Sequence, residues 1–410
     1  MKRLAEISLG ILTAIGAFVD IGDIVASAET GARFGMALAW AILVGTFGIC
    51  LFAEMAGRIA TLSKRATFDL IRERMGPRVG LVALGAAFFV NFLTLAAELG
   101  GMALIVQLVT GQSDLFFVVP LALLVGMVTW RVKFTIMEKV VSLVGLALLI
   151  SVVAIWRAGP DWGSLLHSGV HPIVPRDETH ALYWYWAISI VGATITVYEP
   201  FFFSAGAIEE KWGREDLVVN RTNVYLGFPL GAVISLAIMA LGATFLFPAG
   251  ISVEHLSQTG LPVSIVLGRG GQIFFLLGAF AAMYAAALET SLSAGYIVCQ
   301  YFGWPWGKLV KPKEAPRFHS VIFLTLSGAT ILVQSSLDPI KLTEYAIALV
   351  AVAAPLTYFP ILILANDERY VGMKVNTPLS NVLATAFFIV MVVASLAAIP
   401  LLIVTKGGST

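Results

Sequence analysis

The sequence predicts an all-α integral membrane protein of eleven transmembrane helices, laid out as a five-plus-five inverted repeat with helices 1 and 6 broken and an eleventh helix appended. Three observations predict it. Of the 410 residues, 59% are hydrophobic and 12% charged, whereas a soluble domain is about half apolar and about a quarter charged. Eleven apolar runs reach the length that crosses a bilayer: 7–28, 34–59, 81–109, 115–132, 137–156, 182–207, 224–247, 273–302, 319–335, 342–364 and 379–404. A pattern also recurs at corresponding places in runs 1 and 6, Gly16-Ala17-Phe18-Val19-Asp20 and Gly192-Ala193-Thr194-Ile195-Thr196. Such correspondence is the mark of a repeat whose broken helices meet at the midplane.

The division expected is one transmembrane domain over 1–410, with spans 1 to 5 in 1–158, spans 6 to 10 in 182–365 and span 11 at 379–404. A cytoplasmic N-terminus places twenty of the 26 Lys and Arg residues inside and six outside, namely Arg33, Arg157, Arg176, Arg269, Lys341 and Lys406. By the positive-inside rule the chain is then N-in and C-out, in the cell membrane. The first run is too long for a cleavable signal and lacks a small-residue cleavage site. A net charge of +1 gives no reason to expect nucleic acid, and no obligate protein partner is evident beyond the lipid bilayer. Cys50 and Cys299 lie within apolar runs, so neither implies a disulfide. The loop 157–180, rich in Gly, Pro and His, reads as an ordered cap or a linker.

Span 1 carries the strongest chemical signal. Asp20 and Asp23 sit in GAFVDIGDIVAS, inside an otherwise apolar run, and a carboxylate at bilayer depth costs several kcal/mol unless a cation or proton compensates it. The bland alternative, a capping carboxylate at an interface, fits poorly with the depth of Asp20. Gly16 and Gly22 flank the pair and point to an interrupted helix whose freed carbonyls would add oxygen ligands. In span 6, Tyr198-Glu199-Pro200 follows the repeated pattern, and Pro200 favours a break. Glu199 is either an outer ligand or a cap for the second half of that helix. Glu289 in AAALETSLSAG of span 8 reads as a cavity-lining or a buried structural carboxyl, and Glu98 in span 3, without a histidine partner in its span, as a buried structural glutamate. Glu54 and Arg58, four apart, read as a structural pair. His167 and His171 share that spacing but lack a carboxylate or cysteine companion, and no histidine sits where it could shuttle protons within a span.

These residues resemble the Nramp family of divalent-metal transporters. Asp20-Ile21-Gly22-Asp23 is similar to the family's Asp-Pro-Gly-Asn, ETGARFGMALAW to the loop and helix that follow, and Gly192 to Tyr198 to its Gly-Ala-Thr-x-Met-Pro-His. Weaker similarity covers Ala97 to Gly100, NRTNV and PLTYFPILILANDERYVG. The resemblance implies the broken-helix fold of the LeuT/APC type. It also implies a metal held by Asp20, Asp23, the Ala17 and Ala193 carbonyls and Thr196, with Glu199 nearby, and a proton or ion route past Glu98, Tyr198 and Glu289.

The departures from the family pattern shape the expected function. Thr196 stands where the family has a soft methionine thioether, Asp23 replaces its asparagine, Tyr198 its histidine, and its span 10 glutamine falls at Ala353. An all-oxygen, more acidic site suits a hard cation such as Mg2+ or Mn2+, a pattern that resembles the Nramp-related magnesium transporter branch. The expected function is therefore alternating-access import of Mg2+ or Mn2+ as transported substrate, without a resident cofactor and without proton coupling. The rivals are a proton-coupled Mn2+ or Fe2+ importer and, more remotely, an organic amine or amino-acid symporter on the same scaffold. No nucleophile and base pair or H-E-x-x-H cluster points to an enzyme, and nothing points to the ring or continuous lining of a channel.

Overall fold

A computed structural model describes residues 18–131, 145–175, 178–335 and 338–408, and among them there is no β-strand. Among the described residues, eight helices are long and apolar enough to cross a membrane: Ala39–Ser63, Pro77–Thr110, His180–Glu209, Arg214–Ala249, Leu261–Phe302, Pro316–Gln334, Pro339–Ala365 and Pro378–Val404. These are spans 2, 3, 6, 7, 8, 9, 10 and 11 of the sequence numbering. Two shorter apolar helices, Leu115–Arg131 and Leu146–Ala158, fall on spans 4 and 5. Much of span 1, including Ala17, and the first part of span 5 lie outside the described residues.

Local chemistry explains where these helices begin. Proline opens spans 3, 9, 10 and 11 as Pro77, Pro316, Pro339 and Pro378, because a first-turn residue has no use for an N–H. Side chains cap others: Thr179 accepts from the Leu182 N–H at 3.2 Å and Asp338 from the Ile340 N–H at 2.9 Å. Several boundaries differ from the sequence reading, among them those of span 2, which runs Ala39–Ser63, and span 7, which runs Arg214–Ala249. The second half of span 1 continues past Ala28 to Phe34, since Glu29 and Arg33 pair at 3.5 Å and Arg33 is also held by Glu178 at 2.9 Å. Leu261–Phe302 is interrupted at Gly268 (φ 71°), so a short helix from Leu261 precedes the span 8 helix, whose first turn carries Arg269. The 157–180 loop contains the helix Trp162–Val170, capped by Asp161.

Burial sorts the helices into centre and rim. The most apolar window of span 6 is 94% buried and that of span 11 only 17%, so span 6 is enclosed by protein and span 11 is left to face lipid. Small residues allow the central helices to touch. A Cβ on Gly45 of span 2 would fall 1.6 Å from Thr194 Oγ1, and one on Gly192 of span 6 would fall 2.4 Å from the Ile347 carbonyl of span 10. This close packing puts the interrupted segments of spans 1 and 6 beside each other in the interior.

Candidate metal site between two broken helices

In span 1 the helix stops at Val19–Asp20 and restarts as Ile21–Phe34. Asp20 is extended (φ −112°, ψ −173°) and caps the new half-helix, its Oδ1 accepting from the Asp23 N–H at 3.0 Å. Capping and ion binding were rival readings of Asp20 in the sequence; the structure has one carboxylate oxygen closing the helix, and the residue also lines a cavity. Asp23 lies in the first turn and is buried, with Oδ2 lacking a hydrogen-bond partner among the described residues. The positive end of the half-helix favours both carboxylates there.

In span 6 the helix His180–Ile195 ends at Thr196, whose φ of 26° is one that an L side chain rarely adopts. It resumes as Glu199–Glu209, with Pro200 in the first turn starting this second half. The Glu199 N–H reaches back to the Thr196 carbonyl at 3.1 Å. Glu199 itself is buried, makes no cap through its side chain, and leaves Oε2 without a hydrogen-bond partner among the described residues.

A cavity of about 20 Å³, room for roughly one water or ion, lies where these breaks meet spans 3 and 10. Its oxygen-bearing lining residues are Asp20, Thr94, Thr196, Tyr198 and Thr343, with Ala193 and Gly22 supplying close backbone. No His, Cys or Met lines it. Of the residues singled out in the sequence, Asp20, Ala193, Thr196 and Tyr198 therefore converge on one space, and Asp23 stands one turn from Asp20. Among the described residues no three His, Cys, Asp or Glu side chains cluster as a ready-made metal cage. A cation here would rely on the carboxylates, hydroxyls, freed carbonyls and retained water.

Glu98 is fully buried in span 3, and its Oε1 accepts from the Ile21 N–H at 3.2 Å, the first free donor of the restarted span 1. That contact places Glu98 beside the segment of span 1 that carries Asp20 and Asp23. Glu289 is buried in span 8 and is not part of the cavity wall. Glu54 and Arg58 pair at 3.1 Å, with Arg221 at 3.5 Å and Asn376 and the Lys374 carbonyl also on Arg58, which makes them a structural tie. His167 and His171 stack on each other, 4.6 Å between centroids, on an exposed helix.

Three residues at the candidate site were not singled out in the sequence. Thr94 of span 3 and Thr343 of span 10 line the cavity. Tyr358 of span 10 donates its hydroxyl to the Ile195 carbonyl, the last one before the span 6 break. A phenol between Pro355 and Pro360 in an apolar run was the available signal for Tyr358.

Comparison with solved structures supports this architecture. The manganese transporter of Eremococcus coleocola aligns with a TM-score of 0.70 at 19% identity, covering 99% of this chain and 94% of that one. MhsT, in complex with L-phenylalanine, aligns at 0.63 and 16% identity over 96% and 97%. MHP1, a nucleobase-cation-symport-1 family transporter, aligns at 0.54 and 16% identity over 97% and 92%. At these identities the likeness shows a shared fold, that of broken-helix secondary transporters. Residues 10–400 match the Nramp profile, described as natural resistance-associated macrophage protein-like. By that match, together with the paired breaks and the fold they share, this multi-pass membrane protein belongs to the Nramp family.

Proposed function

We propose that the chain is a secondary transporter, not an enzyme, that imports a divalent cation, Mg2+ or Mn2+, by alternating access and without stoichiometric proton movement. The observation that carries this is the make-up of the cavity wall: Asp20 at the break, the hydroxyl-bearing Thr94, Thr196, Tyr198 and Thr343 around a space for one ion, and no sulfur or imidazole. Hard oxygen donors favour Mg2+ and Mn2+ over Cd2+. Few direct protein ligands suit Mg2+ in particular, which sheds its water reluctantly. The manganese transporter among the fold neighbours and the resemblance to the magnesium branch support the same substrate class.

Uncoupled transport has its own supports. Leu95 and Tyr198 stand where the family's proton route has an aspartate and a histidine, and Glu98 is engaged by the Ile21 N–H. A divalent ion entering a negative interior gains about 4.6 kcal/mol per 100 mV, so the membrane potential alone can drive accumulation. The contact of Glu98 with Ile21, the residue after Asp20, supports the second reading, a proton-coupled Mn2+ or Fe2+ importer. We place the chain in the cell membrane, N-terminus inside and C-terminus outside, with repeats at 1–158 and 182–365.

Uptake into proteoliposomes, with Mg2+, Mn2+ and Cd2+ supplied in turn and an enclosed pH dye, tests the proposal. Entry of Mg2+ and Mn2+ ahead of Cd2+ with constant internal pH is expected. Metal-dependent acidification that disappears in Glu98→Gln contradicts the uncoupled reading, and failure of all three ions to enter contradicts divalent transport.

A further inference from the structure

We propose that Tyr358 is a specificity-determining positioning residue, which ties up the Ile195 carbonyl at the span 6 break and so keeps that oxygen out of the ligand set. The inference rests on the divalent-cation reading of the cavity. Ile195 is the last helical residue before the break, and a helix end leaves its final carbonyls without intrahelical partners. Ile195 itself is not part of the cavity wall, but Ala193 and Thr196 on either side of it in the chain are, so its carbonyl, once unclaimed, stands one residue from the cation space. The Tyr358 hydroxyl claims it from across the fold, 163 residues away in sequence.

The hydroxyl is held in place by its own surroundings. Tyr358 is fully buried, and its ring meets Phe52 of span 2 edge to face at 4.7 Å between centroids. Spans 2, 6 and 10 thus converge on one hydrogen bond at the break. Mg2+ takes six ligands in strict octahedral geometry and retains water, whereas Ca2+ accepts six to eight oxygens in flexible arrangements. Adding a backbone oxygen to the site therefore benefits Ca2+ more than Mg2+. The phenol acts as a limit on coordination number.

The test is calorimetric titration of the purified full chain with MgCl2 and CaCl2, accompanied by melting curves without divalent ions. Tyr358→Phe removes one oxygen atom and keeps the ring. It is expected to raise the Ca2+ to Mg2+ affinity ratio by about fivefold or more, and Tyr358→His, which returns an N–H donor, to bring the ratio back toward wild type. Tyr358→Leu also lacks the hydroxyl and shifts the ratio in the same direction, so the test survives misfolding of one variant. Phe52→Leu, which disturbs the packing but leaves the hydroxyl, keeps the wild-type ratio. An unchanged ratio in folded Tyr358→Phe overturns the proposal, as does an equal loss of affinity for both ions, which would make Tyr358 merely structural. Wild-type protein that binds neither Mg2+, Mn2+ nor Ca2+ would instead overturn the functional reading on which the proposal rests.

Discussion

The half-helix that follows the break in span 1 starts with unpaired N–H groups, whereas the half-helix that precedes the break in span 6 ends with unpaired carbonyls. Carboxylates answer the first: Asp20 takes the Asp23 N–H and Glu98 takes the Ile21 N–H. A phenol answers the second, Tyr358 on the Ile195 carbonyl. Helix N-termini favour anions and C-termini favour cations. Span 1 can therefore keep two acidic side chains at depth, while span 6 contributes neutral backbone and hydroxyl oxygen. In this account the charge of the site, and with it the preference for Mg2+ over Mn2+, comes from one break and the discrimination against soft or larger cations from the other, and substitutions should separate the two.

The largest effect is expected at Asp20, which both caps the half-helix and faces the cavity. Asp20→Ala should abolish divalent binding in calorimetry and lower stability by about 1 kcal/mol through the lost cap. Unchanged affinity would remove the site from span 1. Next comes Asp23→Asn, isosteric but one charge poorer. It should weaken Mg2+ about tenfold and Mn2+ less, because Mg2+ depends more on charged oxygen. An equal loss for both ions would mean that Asp23 acts only through the local field.

Selectivity should move with the other break. Thr196→Met restores a soft ligand at the cavity wall, and competition assays should show Cd2+ gaining on Mg2+ by about tenfold. An identical competition profile would place Thr196 outside the coordination sphere. The smallest effect is expected for Glu98→Gln, whose amide oxygen still accepts the Ile21 N–H. Uptake should stay within about twofold of wild type, with the internal pH again constant. A large loss of flux would show that the Glu98 charge, and not just its hydrogen bond, serves span 1.

The two breaks also differed in how legible they were. Two aspartates in an apolar run are conspicuous on energetic grounds alone, and the break at Val19–Asp20 falls between the flanking glycines as expected. Glu29 and Arg33 ended the apolar run too early, because a buried carboxylate paired with a half-buried arginine can extend a helix that hydropathy truncates. At span 6, Pro200 announced an interruption, yet the partner of its loose carbonyl was hidden. Nothing local to Ile195 points to a tyrosine in span 10. Thr343 was equally silent: its hydroxyl donates to the Pro339 carbonyl one turn back, at 2.7 Å, the ordinary use of threonine within a helix. Only the packing of spans 1, 3, 6 and 10 brings it to the cavity wall. Charge at depth is visible residue by residue, whereas neutral oxygen becomes a ligand set only through tertiary contact.

The central claim, that the two breaks jointly hold one cation on oxygen donors, is tested most directly by crystals of the full chain grown with Mn2+ and measured at the manganese absorption edge. The account predicts a single anomalous peak within coordination distance of the Asp20 carboxylate and of span 6 oxygen from Ala193 or Thr196, absent from Asp20→Ala crystals. A peak bound to the span 1 carboxylates alone, or one elsewhere in the fold that survives Asp20→Ala, would contradict it.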